Sequence, residues 1–96
     1  MFVLLITYTK PVDEVDRHMQ THRDWLARHF ASGCFLMAGR KEPRTGGVIL
    51  ATADSRSEIE AIVAQDSFTI EQVASYEIVE FAATTTAESL AWLKAG

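Results

Sequence analysis

Three stretches of strand-forming sequence carry apolar residues on both of their faces, and the chain has helices enough to cover only one. Residues Phe2 to Tyr8 place Phe2, Leu4, Ile6 and Tyr8 on one side and Val3, Leu5 and Thr7 on the other. Cys34 to Arg40 and Gly47 to Ala53 repeat the pattern, and Pro43 and Gly46 between them mark the turn of a β-hairpin. A strand that is apolar on both sides needs cover on both sides. Two amphipathic segments are available as helices, so the second face of the sheet is expected to pack against the sheet of an identical subunit, giving a homodimer. The hydrophobic content of 48% in 96 residues agrees with extra apolar surface of this kind.

The first amphipathic segment, Val12 to Ser32, opens with Asp13, Glu14 and Asp16 at the positive end of the helix dipole and closes at Gly33. Val15, Met19, Leu26 and Phe30 fall on one stripe, with His22 beside it and His18, Trp25 and His29 along its flank. The second begins at Ser55, whose spacing to Glu58 is that of a capping box, and buries Ile59, Ile62 and Val63 before ending near Asp66. A polar segment leads to a last strand, Tyr76 to Phe81, with a start a few residues earlier also allowed. The order strand, helix, strand, strand, helix, strand predicts an α+β, ferredoxin-like βαββαβ fold: a four-stranded antiparallel sheet with two helices on one face. Residues 1–96 read as one domain with a core over 1–82. Thr85 and Glu88 open an additional C-terminal helix, about 86–95, whose Leu90, Trp92 and Leu93 should dock on the domain or on the partner.

Charge and motif content narrow the function. A net charge of −4 with no basic run excludes counterion-displacing nucleic-acid binding. The apolar start, Phe2 to Ile6, is too short for a membrane span or a signal-peptide core. The lone Cys34 has no partner for a disulfide within the chain and fits a reducing cytoplasm. There is no glycine-rich phosphate loop, and His18 and His22, at i and i+4, lack a third metal ligand, so no metal, nucleotide or flavin cofactor is expected.

The N-terminal strand, the helix bearing His22, the hairpin strand LMAGR with Gly39, and the acidic turn Asp66-Ser67-Phe68 before a last strand together resemble the YciI-related proteins over residues 1 to 82. The resemblance implies a small dimeric α/β-barrel domain similar in fold to muconolactone isomerase, with a His and Asp pair at its active site; these correspond to His22 and Asp66. Some relatives act on ring-derived, sometimes chlorinated, substrates by elimination or isomerisation. Ser67 departs from the Asp-Pro-Phe form that the family's turn commonly takes, and the C-terminal helix is an addition to the common core.

A carboxylate that accepts a hydrogen bond from one imidazole nitrogen fixes the tautomer and leaves the other nitrogen to move a proton, which suits abstraction beside a carbonyl. The expectation is a lyase or isomerase acting on a small, anionic, carbonyl-containing molecule. His22 and Asp66 would be catalytic. Arg40 and Arg44 at the hairpin would neutralise the substrate, Tyr8 and Ser67 would offer hydroxyls, and Trp25 and Phe68 would wall the cleft. The alternative is a dimeric ligand-binding or scaffold domain in which His22 is a packed histidine and Asp66 merely ends a helix.

Overall fold

A computed structural model describes residues 1–95. The elements run β1 (Phe2–Tyr8), α1 (Val12–Asp16), α2 (Met19–Ala31), β2 (Phe35–Arg40), β3 (Gly46–Ala51), α3 (Arg56–Ala64), α4 (Ser67–Ile70) and β4 (Ala74–Glu80), followed by a 3-10 turn over Glu88–Leu93. The strands form one antiparallel sheet in the order β2-β3-β1-β4. This is the expected ferredoxin-like α+β arrangement.

The alternation within each strand sorts the residues as the sequence requires. Phe2, Leu4 and Ile6 of β1, Ile49 and Ala51 of β3 and Phe35 of β2 point toward the helices and are almost fully buried, meeting Trp25, Ile59, Ile62 and Val63. Full burial of side chains of this size contributes about 1.5–3 kcal/mol each, so this layer holds the helices to the sheet. Ser55 caps α3 by accepting the Glu58 N–H at 3.2 Å. Gly33, at φ +85°, ends the helical segment in the left-handed conformation that a Cβ disfavours. Gly46 has a different reason: a Cβ there would collide with the carbonyl of Ile6, so only glycine lets β3 begin pairing against Thr7.

The other side of the sheet is apolar and uncovered. Register places Met37, Leu50, Val3 and Val79 in one row across all four strands, with Val48 and Leu5 in the next. Met37 is 66% exposed, Val79 38% and Val48 37%.

Three expectations are corrected. The segment predicted as a single helix is two, because His18 (φ −109°, ψ 8°) leaves the helical region. Its carbonyl accepts the His22 N–H at 3.0 Å and the Ser67 hydroxyl at 3.2 Å, so a tertiary contact holds the break. The buried residues of α2 are His22 and Trp25, while Phe30 is 40% exposed; the break turns Val15 away into a separate cluster with Phe68 and Val73. The C-terminal segment is a 3-10 turn rather than an α-helix; it leaves Leu90 46% and Trp92 70% exposed, and its end is tied back by the Ala95 N–H to the Ala83 carbonyl at 2.9 Å.

Candidate active site

Asp66 is positioned by the end of one helix and the start of the next. α3 stops at Gln65, Asp66 takes an extended conformation (φ −68°, ψ 134°), and its Oδ1 accepts the Phe68 N–H at 3.3 Å as the N-cap of α4. The side chain is fully buried. A carboxylate removed from water is tolerated only when donors replace the lost hydration, and two more do so. His22 Nδ1 lies 2.8 Å from Oδ1, and the Tyr76 hydroxyl donates to Oδ2 at 2.5 Å. Burial, reinforced by the negative charge and hydrogen bond of Asp66, pushes the Tyr76 phenol far above its ordinary value of 10.0, so it remains a donor.

His22 is fixed by its neighbours as firmly as by Asp66. Its ring stacks on Phe68 with centroids 3.9 Å apart and planes within 2°, and Trp25 lies against it at 5.5 Å. Trp25 in turn donates its indole N–H to the Ile62 carbonyl at 3.0 Å, locking α2 to α3. Both oxygens of Asp66 already act as acceptors, Oδ1 from Phe68 and Oδ2 from Tyr76, so the His22 contact is satisfied with the proton on Nδ1. This network places a proton on Nδ1, and Nε2 has no hydrogen-bond partner among the described residues.

His22 lines a cleft of about 710 Å³ between α2 and the sheet, whose wall also includes Tyr8, Phe68, Arg23, Arg40 and Arg44. That volume is typical of a small-molecule site. Ile6, Ile49, Gly46 and Gly47 supply an apolar base. Arg44 donates to Asp16 at 2.5 Å and stands 5.6 Å from the Tyr8 ring centroid. The hydrogen bond from Arg44 holds the Asp16 carboxyl below its ordinary range, against a smaller opposing push from desolvation. Arg40 pairs with Glu42 at 2.8 Å, both side chains largely in solvent.

Of the residues predicted for the site, His22, Phe68, Tyr8, Arg40 and Arg44 lie around this cleft and Asp66 directly behind His22. Trp25 and Ser67 do not line it. Trp25 is 1% exposed within the core because its indole N–H finds a buried carbonyl, and the Ser67 hydroxyl is committed to His18. Two participants escaped the sequence reading. Tyr76 shares a face of β4 with Ile78, and that alternation says nothing of a partner; Arg23 follows His22 and sits a helical turn from Met19 and from Leu26, both of which line the cleft. Among the described residues no group of three or more His, Cys, Asp or Glu is placed to hold a metal ion, and no helix is long and apolar enough to cross a membrane. Cys34 lies apart, its thiol donating to the Thr52 carbonyl at 3.1 Å.

A ferredoxin-like α+β sheet layer with a buried carboxylate behind a cleft-lining imidazole defines a class of small domain with a His and Asp pair at a cleft. Within that class the chain belongs to the YCII-related domain family, whose model matches residues 1–82. The solved structures include a similar chain, the 5-chloro-2-hydroxyhydroquinone dehydrochlorinase TftG from Burkholderia phenoliruptrix AC1100 in complex with 2,5-dihydroxybenzoquinone. The likeness covers 84% of this chain and 93% of that one, with a TM-score of 0.71 and 17% identity. No curated protein sequence matches. Ser67 is the residue by which the acidic turn departs from the Asp-Pro-Phe form that the resemblance implies. It is the first residue of α4, a position proline suits, and its hydroxyl ties that turn to the α1–α2 break instead.

Proposed function

We propose that the protein is a small-molecule lyase or isomerase in which His22 and Asp66 perform general acid–base catalysis on a small, anionic, carbonyl-containing substrate. The observation that carries this reading is the buried Asp66 contact at His22 Nδ1, which leaves Nε2 unpartnered on a histidine of the cleft wall. Nε2 takes a proton from the carbon beside the carbonyl; the C–H electron pair becomes a C=C bond and the carbonyl π pair moves onto oxygen, giving an enolate. Asp66 stabilises the imidazolium so formed. When the enolate collapses, the carbonyl re-forms and either another carbon takes the proton back from Nε2 or a leaving group departs with its electron pair.

Arg40 and Arg44 hold the substrate anion, the Tyr8 hydroxyl reaches a substrate oxygen, and Phe68 walls the ring of the ligand. Trp25 and Ser67 serve by positioning His22 and α4. The dehydrochlorinase activity in the name of the similar structure supports an elimination of this type. The uncovered sheet face, with Met37, Val48 and Val79 exposed, supports a homodimer through that face, and the single free thiol suits a reducing cytoplasm.

The test is solvent exchange. Loss of the signal of the C–H beside the carbonyl in small cyclic keto acids that carry an sp3 carbon there is followed by NMR in D₂O with wild type and with His22→Ala. General-base catalysis is worth about 10²–10⁴-fold, so wild type should accelerate exchange and His22→Ala should lose at least the lower figure. Equal exchange by both proteins removes His22 from the mechanism. Binding without exchange in wild type makes the domain a ligand-binding module.

A further inference from the structure

We propose that Tyr76 is a positioning residue of this site: its hydroxyl anchors the outer oxygen of Asp66 so that the carboxylate presents Oδ1 to His22 and the imidazole rests as a base toward the cleft. The proposal rests on the acid–base reading of His22 and Asp66 and adds a third member that does not touch the substrate. Tyr76 is absent from the cleft wall, and its place on β4, facing α2, is fixed by pairing with Ile6 and by edge contact with Trp25 at 6.4 Å.

A carboxylate on a single side-chain bond can rotate about that bond. With only the Phe68 N–H and His22 Nδ1, both on Oδ1, the second oxygen would be buried and unsatisfied. The carboxylate could then rotate to exchange one oxygen for the other. The Tyr76 hydroxyl at 2.5 Å closes that freedom, and because β4 is paired along its whole length with β1 the anchor does not move with the helices. The polarity of the chain of bonds follows. Tyr76 donates, Asp66 accepts on both oxygens, and His22 donates from Nδ1, so Nε2 is the nitrogen left to exchange a proton with a substrate.

The test reads the free protein, so it is independent of any substrate. In wild type at neutral pH the Tyr76–Asp66 bond should give a low-field proton resonance, and ¹⁵N-labelled His22 should show a single tautomer with Nε2 unprotonated. Tyr76→Phe keeps the ring volume and removes only the hydroxyl; it should abolish the low-field resonance and turn the single His22 tautomer into a mixture. Where Tyr76→Phe does not fold, 3-fluorotyrosine incorporated at both tyrosines keeps the hydroxyl and makes it more acidic, and the resonance should move. An unchanged His22 tautomer in Tyr76→Phe, or a resonance that ignores fluorination, overturns the positioning role. Failure of carbonyl exchange in wild type with these signatures intact would instead overturn the catalytic reading and leave Tyr76 as the anchor of the pair.

Discussion

Replacing Asp66 with alanine should destabilise the fold far more than removal of a small polar residue usually does. Three donors converge on its carboxylate: the Tyr76 hydroxyl, the Phe68 N–H and His22 Nδ1–H. His22 has an escape, since its ring borders the cleft and can move its proton to Nε2. Tyr76 and the Phe68 amide have none, and a buried donor left unsatisfied costs about 1–3 kcal/mol. Two such donors give a loss of about 2–6 kcal/mol, which includes the helix-capping contribution at Phe68. A domain of this length is stable by roughly 5–14 kcal/mol, so the substitution removes a large share. At about 4–8 °C per kcal/mol for a small domain, Tm should fall by at least about 8 °C. Asp66→Asn keeps the shape and relieves the desolvation of a buried charge, so it should cost less than about 2 kcal/mol. Urea unfolding followed by tryptophan fluorescence measures both. A loss below about 0.5 kcal/mol in Asp66→Ala would mean that the three bonds are not made in solution, because two buried donors left unsatisfied cost several times that.

Other consequences follow from the same structure. Tyr76 has a raised folded-state value against an ordinary 10.0, so its folded state holds the proton more tightly; the associated stability is complete below pH 10 and is lost as pH rises above it. Tyrosinate absorbance should therefore show one of the two tyrosines ionising only as the protein unfolds in alkali, and Tyr76→Phe should lack that late step. Burial, then the charge of Glu58, raises the Cys34 thiol above its ordinary 9.0, so labelling by a thiol-reactive disulfide at pH 8 should be markedly slower than for the urea-unfolded chain. The open sheet face predicts a solution mass twice the 10.7 kDa of one chain. Met37→Asp together with Val48→Asp should yield monomers by light scattering, whereas a wild type that is already monomeric would contradict the dimer.

The fold was legible in the sequence because it rests on periodicity. The alternation in Phe2–Tyr8 and the stripe Ile59, Ile62 and Val63 need no knowledge of distant partners, and the same both-sided strands that predicted an uncovered face produce one. The site was legible only in part. His22 and Asp66 are 44 residues apart, and their contact depends on how α2 lies beside the α3–α4 junction; the resemblance named the pair where spacing left it open. The break at His18 was invisible because a hydroxyl from Ser67, 49 residues away, holds it. Trp25 misled for a related reason. An indole reads equally well as a cleft wall or as core, and only the Ile62 carbonyl decides between them. Tyr76 carried no local mark of its role, since nothing in a strand's alternation says that the residue opposite will be a carboxylate.

The central claim is that Asp66 holds His22 with its proton on Nδ1 and its lone pair toward the cleft. The most direct measurement is ¹⁵N NMR of histidine-labelled protein at neutral pH, comparing wild type with Asp66→Asn. A single Nδ1-protonated tautomer for His22 in wild type, giving way to a mixture in Asp66→Asn, is the predicted result. A His22 that populates both tautomers in wild type, or that is indifferent to Asp66→Asn, would contradict it.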